Sequence, residues 1–233
     1  MEKVLIGKID VRRQSLILKK YKPDIIFLQE IDMYTKRAYY RNQLYTFSKY
    51  TELDYRAMGT NIKYKSGFYG DGILSKFPIE YSANYLSPLT NNSHEQRGIL
   101  CNKISFGNTK INVFSLHMST FEDERILTAQ ELLKIISKIN KNEPIIIGGD
   151  FNVGIKKIGP HKYLHDPKDT YKEYEILKSK LNSINNTETT WVSPEGNACI
   201  DSFFYSKHLK LIKYEVIDTN ISDHYPIYAE FLI

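Results

Sequence analysis

Acidic, amide and imidazole side chains stand beside apolar runs at four distant points of the sequence. Pro144-Ile145-Ile146-Ile147 precedes Gly148-Gly149-Asp150-Phe151-Asn152, and comparable runs adjoin Glu30, His117 and the pair Asp223-His224. Three consecutive isoleucines predict a strand that is covered on both faces, and the two glycines allow a tight turn at its end. Carboxylates and amides are hard oxygen ligands, and imidazoles exchange protons near neutral pH. Metal-assisted hydrolysis of a phosphate ester requires this set of groups.

The composition predicts a folded protein of one domain, residues 1–233. Its 233 residues are 42% hydrophobic and include 18 tyrosines, which excludes a disordered chain. The 32 basic and 27 acidic residues are mixed throughout, and the net charge is +5. A mildly basic protein attracts phosphate-bearing substrates, but no concentrated basic patch typical of a dedicated nucleic-acid binder is present.

The cysteines and the lack of long apolar runs bear on disulfides, zinc binding and membrane insertion. Cys101 and Cys199 lie beside apolar residues and are expected to be free thiols, and neither has a Cys or His partner at zinc-ligand spacing. No apolar run reaches the length of a transmembrane helix, and Met1 to Gly7 is too short and too acidic for a signal peptide. We therefore expect a cytoplasmic monomer, although a leader removed before Met1 stays open.

Strand patterns outnumber helical patterns. Apolar spacing predicts helices at Val11–Tyr21 with Asp10 as N-cap, around Gln43–Phe47, at Glu122–Asn140 and at Tyr171–Leu181. Turn residues between Tyr64 and Phe77 predict a hairpin there. Helical segments fall between groups of strands, and no internal repeat is present. This order favours an α/β fold, a four-layer sandwich in which two mixed or antiparallel sheets pack together with helices outside.

Each polar residue also has a purely structural interpretation. Glu30 alone would more often be a solvated turn residue, and Glu95 with Arg97 would more often be a surface ion pair. A single histidine at a strand end, such as His117, is more often structural than catalytic. The functional interpretation therefore depends on the whole set.

Seven short motifs together resemble the endonuclease/exonuclease/phosphatase superfamily of metal-dependent phosphoesterases. They are PDIIFLQE at 23–30, GDGILS at 70–75, EQRG at 95–98, SLH at 115–117, GDFN at 149–152, IDSFF at 200–204 and SDH at 222–224. Any one of them is weak, but all seven occur in the order found in the superfamily. The similarity is strongest to bacterial members of unassigned substrate.

The resemblance implies a role for each residue around the phosphate. Asp150 is similar to the carboxylate that orients or deprotonates the attacking water, and Asn152 to the neighbour that holds phosphoryl oxygens. His224 resembles the histidine at the scissile phosphate, and Asp201 the carboxylate that fixes its tautomer. His117 resembles a second histidine that contacts the phosphate.

The resemblance also implies a metal and a substrate contact. Glu30 is similar to the principal Mg²⁺ ligand, with Mn²⁺ as a substitute, and Asp223 to a carboxylate near the metal. Arg97 falls where many members have an arginine facing the substrate. The implied partner is a phosphate ester, and a nucleic acid is one candidate for it.

Two departures from the superfamily pattern concern the start of the chain and Asp71. Members open with a strand that ends in an asparagine, whereas no asparagine precedes Asn42 here. One alignment puts Lys8 at that position. The preferred alignment makes Gly7 to Asp10 the loop and helix cap that follow the strand, which leaves the first strand missing. Asp71 stands where asparagine is common.

Three functions remain open from the sequence. The leading hypothesis is a Mg²⁺-dependent hydrolase of phosphodiesters or phosphomonoesters. A narrower alternative is a DNA or RNA endonuclease or repair phosphodiesterase. The third is a binding module that keeps the fold but has lost turnover through its altered N-terminus.

Overall fold

The computed structural model describes residues 10–64, 66–159, 162–168, 170–194 and 196–233; residues 1–9 and the positions between these ranges lie outside it. Within these ranges the helices are α1 Val11–Lys20, α2 Gln43–Thr51, α3 Glu122–Ile136 and α4 Lys172–Lys178. The strands are β1 Ile25–Met33, β2 Tyr55–Tyr64, β3 Gly67–Ser75, β4 Ile79–Leu86, β5 Gly98–Phe106, β6 Thr109–His117, β7 Ile145–Asp150, β8 Ile155–Gly159, β9 Lys162–His165, β10 Asn182–Ser183, β11 Trp191–Ser193, β12 Gly196–Ala198, β13 Asp201–Tyr205, β14 Lys210–Val216 and β15 Ile227–Leu232.

Two β-sheets pack face to face, with helices on their outer sides. One sheet has the strand order β1-β3-β2, and the other has the order β10-β13-β7-β6-β5-β4. Ile73, Leu100 and Phe203 meet between the sheets. Helices α1 and α2 cover the outer face of the first sheet, and α3 and α4 cover that of the second. The predicted four-layer sandwich of mixed and antiparallel sheets is therefore confirmed.

The predicted helices form with small changes at their ends. Helix α1 starts after Asp10, whose carboxylate accepts a hydrogen bond from the backbone nitrogen of Arg13 at 3.0 Å. This bond satisfies one of the free backbone donors of the first turn. Three acidic residues in the first turn of α3 complement the positive end of the helix dipole.

The hairpin predicted between Tyr64 and Phe77 is displaced: β2 and β3 pair antiparallel up to Tyr64 and Gly67, and the turn predicted at Gly70 to Gly72 is wrong. From Gly67 onward these residues form the single strand β3, which lies between β1 and β2. The glycines serve close approach rather than a turn, since a Cβ atom at Gly70 would overlap the backbone oxygen of Gly59. Tertiary packing thus overrides the usual preference of glycine for turns.

Asp71 is buried in β3 at 1% exposure. The side-chain nitrogen of Asn61 donates to its Oδ2 at 3.0 Å. Burial raises the pKa of Asp71 to about 7, against the opposing effects of Asn61 and Arg97. Between about pH 4 and 7 the folded protein therefore holds a proton that the unfolded chain has released, so this group destabilises the fold as the pH rises.

Strands β6 and β7 run parallel and are joined through α3. Their last residues, His117 and Asp150, therefore lie at the same edge of the sheet. The pairing continues to the last residues, where His117 lies opposite Asp150. Gly149, just before that edge, has a φ of +152°, and a Cβ atom there would overlap the backbone oxygen of Leu116. Only glycine fits this position without moving the β6 backbone.

Some expectations concern other parts of the chain. Cys101 and Cys199 are free thiols, as predicted, although only Cys101 is fully buried. None of the described helices has the length and apolar character needed to cross a membrane. The prediction that the first strand of the superfamily is missing concerns residues 1–9, which lie outside the described residues.

We expect Gly149→Ala to lower the free energy of unfolding by about 2–4 kcal/mol, because backbone overlap adds to an unfavourable φ. Urea denaturation followed by circular dichroism measures this. Gly107→Ala is the matched control: Gly107 also has a positive φ, +59°, but nothing lies within 4 Å of an added Cβ atom. It should cost only about 1 kcal/mol, and equal losses would contradict the overlap.

We expect Asp71→Asn to stabilise the protein at pH 8 and to have little effect near pH 4. An amide keeps the acceptor for Asn61 and removes the buried charge, so the gain should grow between these pH values to the order of 2–4 kcal/mol. Urea denaturation at several pH values measures it. Asp54→Asn, at an exposed position, is the control, and a gain that does not depend on pH would contradict the prediction.

Candidate active site

Three neighbouring strands of the six-stranded sheet place predicted site residues at one edge. In β7, Asp150 is paired on one side with His117 of β6 and on the other with Asp201 of β13. Residues that are opposite each other in a sheet project from the same face. The Nε2 atom of His117 accordingly lies 3.3 Å from Oδ2 of Asp150.

His224 reaches the same group from a loop. Its Nδ1 atom is 2.9 Å from Oδ2 of Asp201, and its Nε2 atom is 3.9 Å from Oδ2 of Asp150. The first distance is a hydrogen bond, while the second is too long for one. Asp201 thus orients the ring, and Nε2 remains available to a ligand.

A short segment from Thr190 to Val192 positions this loop. Trp191 forms a β-bridge with His224, and the backbone nitrogen of Val192 donates to the carbonyl oxygen of Asp223 at 2.9 Å. The hydroxyl oxygen of Thr190 accepts from the backbone nitrogen of Asp201 at 3.0 Å. The segment therefore connects both members of the His224–Asp201 pair.

Arg97 fixes the protonation of His117. Its NH1 group lies 2.8 Å from Nδ1 of His117. Burial would lower the pKa of Arg97, but the negative charge of Glu95 and other neighbours raises it, so the guanidinium stays charged. Because a guanidinium can only donate, Nδ1 of His117 accepts and Nε2 carries the proton toward Asp150. Burial, followed by the charges of Arg97 and His224, also holds the pKa of His117 well below its usual range.

Asp150 and His224 have opposite ionisation tendencies. Burial, followed by the charge of Asp201, raises the pKa of Asp150 to about 7. Burial alone would lower the pKa of His224, but the carboxylates of Asp201, Asp150 and Asp223 outweigh it and raise the pKa to about 10. At neutral pH the site therefore contains an imidazolium beside a carboxylate that readily binds a proton.

Asn152 is held in a strained backbone conformation next to Asp150. Its φ is +49°, which is uncommon for a residue with a side chain. The backbone nitrogen donates to Oδ1 of Asp150 at 2.8 Å, and the side-chain nitrogen donates to the carbonyl oxygen of Met118 at 2.9 Å. These bonds fix both the carboxylate and the amide. Such strain often accompanies function.

Glu30 occupies a bulge in β1. The register between β1 and β3 shifts between Leu28 and Ile31, and Glu30 has a φ of +57°. A bulge redirects a side chain out of the regular alternation. The carboxylate is 62% exposed and lies 4.0 Å from Nδ1 of His117. Since His117 is neutral, this separation is not an ion pair.

All eight residues singled out from the sequence line one cavity of about 1210 Å³. They are Glu30, Arg97, His117, Asp150, Asn152, Asp201, Asp223 and His224. Contacts of 4.0 Å or less link seven of them to one another, whereas the side chain of Asp223 contacts Ser222, at 3.2 Å. The structure thus brings the set together, and the chemical role of each member stays a prediction.

Exposed carboxylates are the groups of this cavity that could hold a divalent cation. No cluster of three or more His, Cys, Asp or Glu side chains suited to a metal occurs among the described residues. Glu30 offers an exposed carboxylate at the cavity, and Asp223 is exposed on the same lining. Mg²⁺ often binds through one or two carboxylates and keeps several waters. Glu30, with Asp223, is therefore the candidate ligand set.

Sequence reasoning missed some neighbours of the site. Tyr69 lies close enough to Glu30 and Arg97 for their charges to act on it, and burial raises its pKa far above the ordinary value. Glu95, which belongs to the EQRG motif but was given no role of its own, forms an ion pair with Arg97 at 2.8 Å. The position of Tyr69, one residue before the GDGILS motif, was the only signal available.

Curated relatives match part of the chain. Over 98 residues the chain is 30% identical to the uncharacterized protein YbhP of Escherichia coli K12, and YbhP of Shigella flexneri matches equally. The match covers 41% of this chain and 38% of the relative. The chain therefore aligns with less than half the length of these relatives.

Solved structures share the fold at low identity. The endonuclease/exonuclease/phosphatase from Beutenbergia cavernae has a TM-score of 0.74 and 14% identity, over 97% of this chain and 66% of its own. TDP2 of D. rerio complexed with a single-strand DNA product has a TM-score of 0.71 and 18% identity, over 98% and 94%. A mannosyl-6-phosphatase of Bacteroides thetaiotaomicron has 0.67 and 19%, over 96% and 90%.

A family model decides the classification, since likenesses of such low identity show the fold alone. The model described as the Endonuclease/Exonuclease/phosphatase family matches residues 11–224, which includes every residue of the candidate site. The chain belongs to the endonuclease/exonuclease/phosphatase family, whose members include phosphoesterases and nucleases.

Proposed function

We propose that this protein is a metal-dependent hydrolase of phosphate esters. The observation that carries the proposal is the contact of Asp150 with His117, combined with the approach of His224, held by Asp201, to the same carboxylate. The arrangement offers a proton acceptor beside a cationic donor, and both face a cavity large enough for a substrate. Hydrolysis of a phosphate ester needs both groups.

The chain's own residues account for water activation. The backbone N–H of Asn152 orients Asp150, with Nε2 of His117 3.3 Å away, and Asp150 accepts the proton of a water molecule. The water oxygen attacks phosphorus as the bond to the leaving oxygen breaks. A carboxyl pKa of about 7 suits this role, because the carboxylate is available at neutral pH and is basic enough to accept a proton.

Cationic and amide groups stabilise the charge that builds up on the phosphoryl oxygens. His224 donates from Nε2, and Arg97 and Asn152 contribute further donors on the substrate side of the cavity. Their positions are fixed by existing hydrogen bonds, so they need little reorganisation in the transition state. Glu30 and Asp223 would hold Mg²⁺, which supplies positive charge to a nonbridging oxygen when bound.

A nucleic-acid substrate is a second candidate, favoured by an exposed loop that follows β1. Tyr39 and Tyr40 are 75% and 58% exposed, and both have positive φ values in a loop that also contains Lys36 and Arg41. Exposed rings between basic side chains suit stacked bases and phosphates. A panel of DNA, RNA, sphingomyelin, phosphoinositide and nucleotide substrates would identify the class.

We expect hydrolysis of bis-p-nitrophenyl phosphate to require Mg²⁺ or Mn²⁺. Asp150→Asn and His224→Asn should lower kcat by about 10²–10⁴-fold, because each removes a group that acts in the transition state. Glu30→Gln should instead raise the concentration of Mg²⁺ needed for half-maximal rate. Initial rates over a range of metal concentrations measure both effects.

The matched controls are His208→Asn and Glu175→Gln, which lie outside the cavity lining. Both should keep the rate of the unaltered protein within about twofold. Activity that survives EDTA would contradict the metal requirement. Protein that is folded and inactive on every substrate, yet binds a phosphate ester, would instead support the binding-module function.

We expect kcat/KM to rise with pH through about 7 and to fall above about 10. Asp150 must lose its proton before it can accept one from water, so activity is gained as the pH passes the pKa of Asp150. His224 must keep its proton to donate to the phosphate, so activity is lost above the pKa of His224. A pH–rate profile at saturating Mg²⁺ measures this. A flat profile from pH 5 to 8 would contradict the role of Asp150.

A further inference from the structure

Arg37 is a cationic side chain that the proposed chemistry does not use. It lies in the loop that follows β1, and its Nε donates to Oδ2 of Asp32 at 2.7 Å. The side chain of Asp32 is 2% exposed, whereas that of Arg37 is 48% exposed. A buried carboxylate therefore fixes a guanidinium that remains open to solvent.

Two tyrosine rings lie against the same guanidinium. Its central carbon is 4.8 Å from the ring centroid of Tyr69 and 5.2 Å from that of Tyr64. Aromatic rings attract a guanidinium and stack with its plane. Since Asp32 and the two rings already fix its position, Arg37 loses little conformational freedom when it binds a ligand.

The outer edge of Arg37 has unused donors. A guanidinium has five N–H groups, and Asp32 takes the one on Nε. The two terminal nitrogens have no hydrogen-bond partner among the residues that the structure describes. Two N–H groups in one plane match two oxygens of a phosphate group. This edge of Arg37 can therefore bind an anion without breaking its bond to Asp32.

Tyr69 connects this guanidinium with the candidate site. It is paired with Asp32 across β1 and β3. Burial, followed by the negative charge of Glu30, raises the pKa of Tyr69, and the positive charge of Arg97 opposes this shift. Burial would lower the pKa of Arg37, but Asp32, Tyr69 and Glu30 together raise it. Arg37 is thus within electrostatic reach of the candidate metal ligand Glu30.

Arg37 lies outside the cavity lining, while Glu30 is part of it. A substrate whose scissile phosphate sits at Asp150 and His224 must therefore extend past Glu30 to reach Arg37. The chain around Arg37 is also basic, since residues 33–51 contain four basic residues and no acidic one. Such an excess of positive charge attracts negatively charged groups.

We propose that Arg37 binds a second phosphate group of the substrate, separate from the scissile phosphate. The inference rests on the proposed hydrolase function and narrows its substrates to phosphate esters that carry a further phosphate. A neutral group at this place would form no charge-assisted bond with the guanidinium. A nucleotide and a phosphorylated lipid headgroup both offer a second phosphate, and the experiment separates them.

Isothermal titration calorimetry with Mg²⁺ measures what the second phosphate contributes. The ligands are matched pairs that differ by one phosphate: thymidine 3′,5′-bisphosphate with thymidine 5′-monophosphate, and inositol 1,4-bisphosphate with inositol 1-phosphate. We expect the unaltered protein to bind at least one bisphosphate about tenfold more tightly than its monophosphate, as one hydrogen-bonded charge pair provides. The pair with the larger ratio identifies the nucleotide or the headgroup class. Equal affinities within both pairs would overturn the proposal.

Two variants assign the effect to Arg37. Arg37→Gln should abolish the preference for the bisphosphate and leave the affinity for the monophosphate within about twofold. Arg37→Lys, which keeps the charge but loses the planar pair of donors, should keep part of the preference. A preference that survives Arg37→Gln would overturn the proposal. An equal loss of affinity for both members of a pair would do so too, because it would show that Arg37 only supports its loop.

The matched control is Arg56→Gln. Arg56 also lies over a tyrosine ring, that of Tyr45 at 5.3 Å, but its hydrogen bond goes to the backbone oxygen of Asp54. The control should leave both affinities unchanged. If it removed the preference as fully as Arg37→Gln does, the effect would be one of overall charge, and the assignment to Arg37 would fall.

A measurement on the unaltered chain covers the case in which Arg37→Gln does not fold. The NMR signal of the Arg37 Nε–H group should shift when the bisphosphate is added and should stay in place with the monophosphate. A signal that neither bisphosphate moves would overturn the proposal.

Rates of hydrolysis measured in parallel separate this inference from the proposed function. Hydrolysis of bis-p-nitrophenyl phosphate without any preference for a bisphosphate would overturn the second phosphate site alone. A preference that depends on Arg37, in a protein that hydrolyses no ester, would support the phosphate site and contradict the hydrolase function.

Discussion

The position of Asp150 between two other strand ends is the constraint on which the site depends. His117 on one neighbouring strand and Asp201 on the other are fixed opposite it by the backbone pairing of β6, β7 and β13. A one-residue slip in either pairing would turn these side chains to the opposite face of the sheet. The hydrogen-bonded register of three strands is therefore also what sets the distances between the side chains of the candidate site.

Burial and neighbouring charges shift the pKa values of the buried carboxyl and imidazole groups. Asp150 and Asp71 are both carboxyls with raised pKa values, yet Asp150 borders the cavity while Asp71 is enclosed in β3. The protonation of Asp71 thus affects mainly stability, whereas that of Asp150 changes the charge that the cavity presents to a ligand. His117 and His224 differ in the same way, because one accepts from a guanidinium and the other donates to a carboxylate. Residue type alone does not distinguish the members of either pair.

Much of the architecture could be predicted from local patterns, since the helix after Glu122 and the strand at Ile145 follow directly from apolar spacing. The prediction that the site residues lie together came from the seven motifs, which occur in the order found in the superfamily. The strand at Gly70 could not be predicted, because its glycines are required by a neighbouring backbone that is distant in sequence. The tautomer of His117 was equally out of reach, since it depends on Arg97 across a strand pair.

The hydrogen bond between His224 and Asp201 has a consequence for the synthesis of the protein. Contacts between distant parts of a chain form late, because the entropy of closing long loops must be overcome first. A ribosome releases the chain from the N-terminal end, so Asp150 and Asp201 emerge before the imidazole that completes their cluster. Until residue 224 has left the ribosome, the nascent protein holds these closely spaced acidic groups without the imidazole that hydrogen-bonds Asp201, and the candidate site is incomplete.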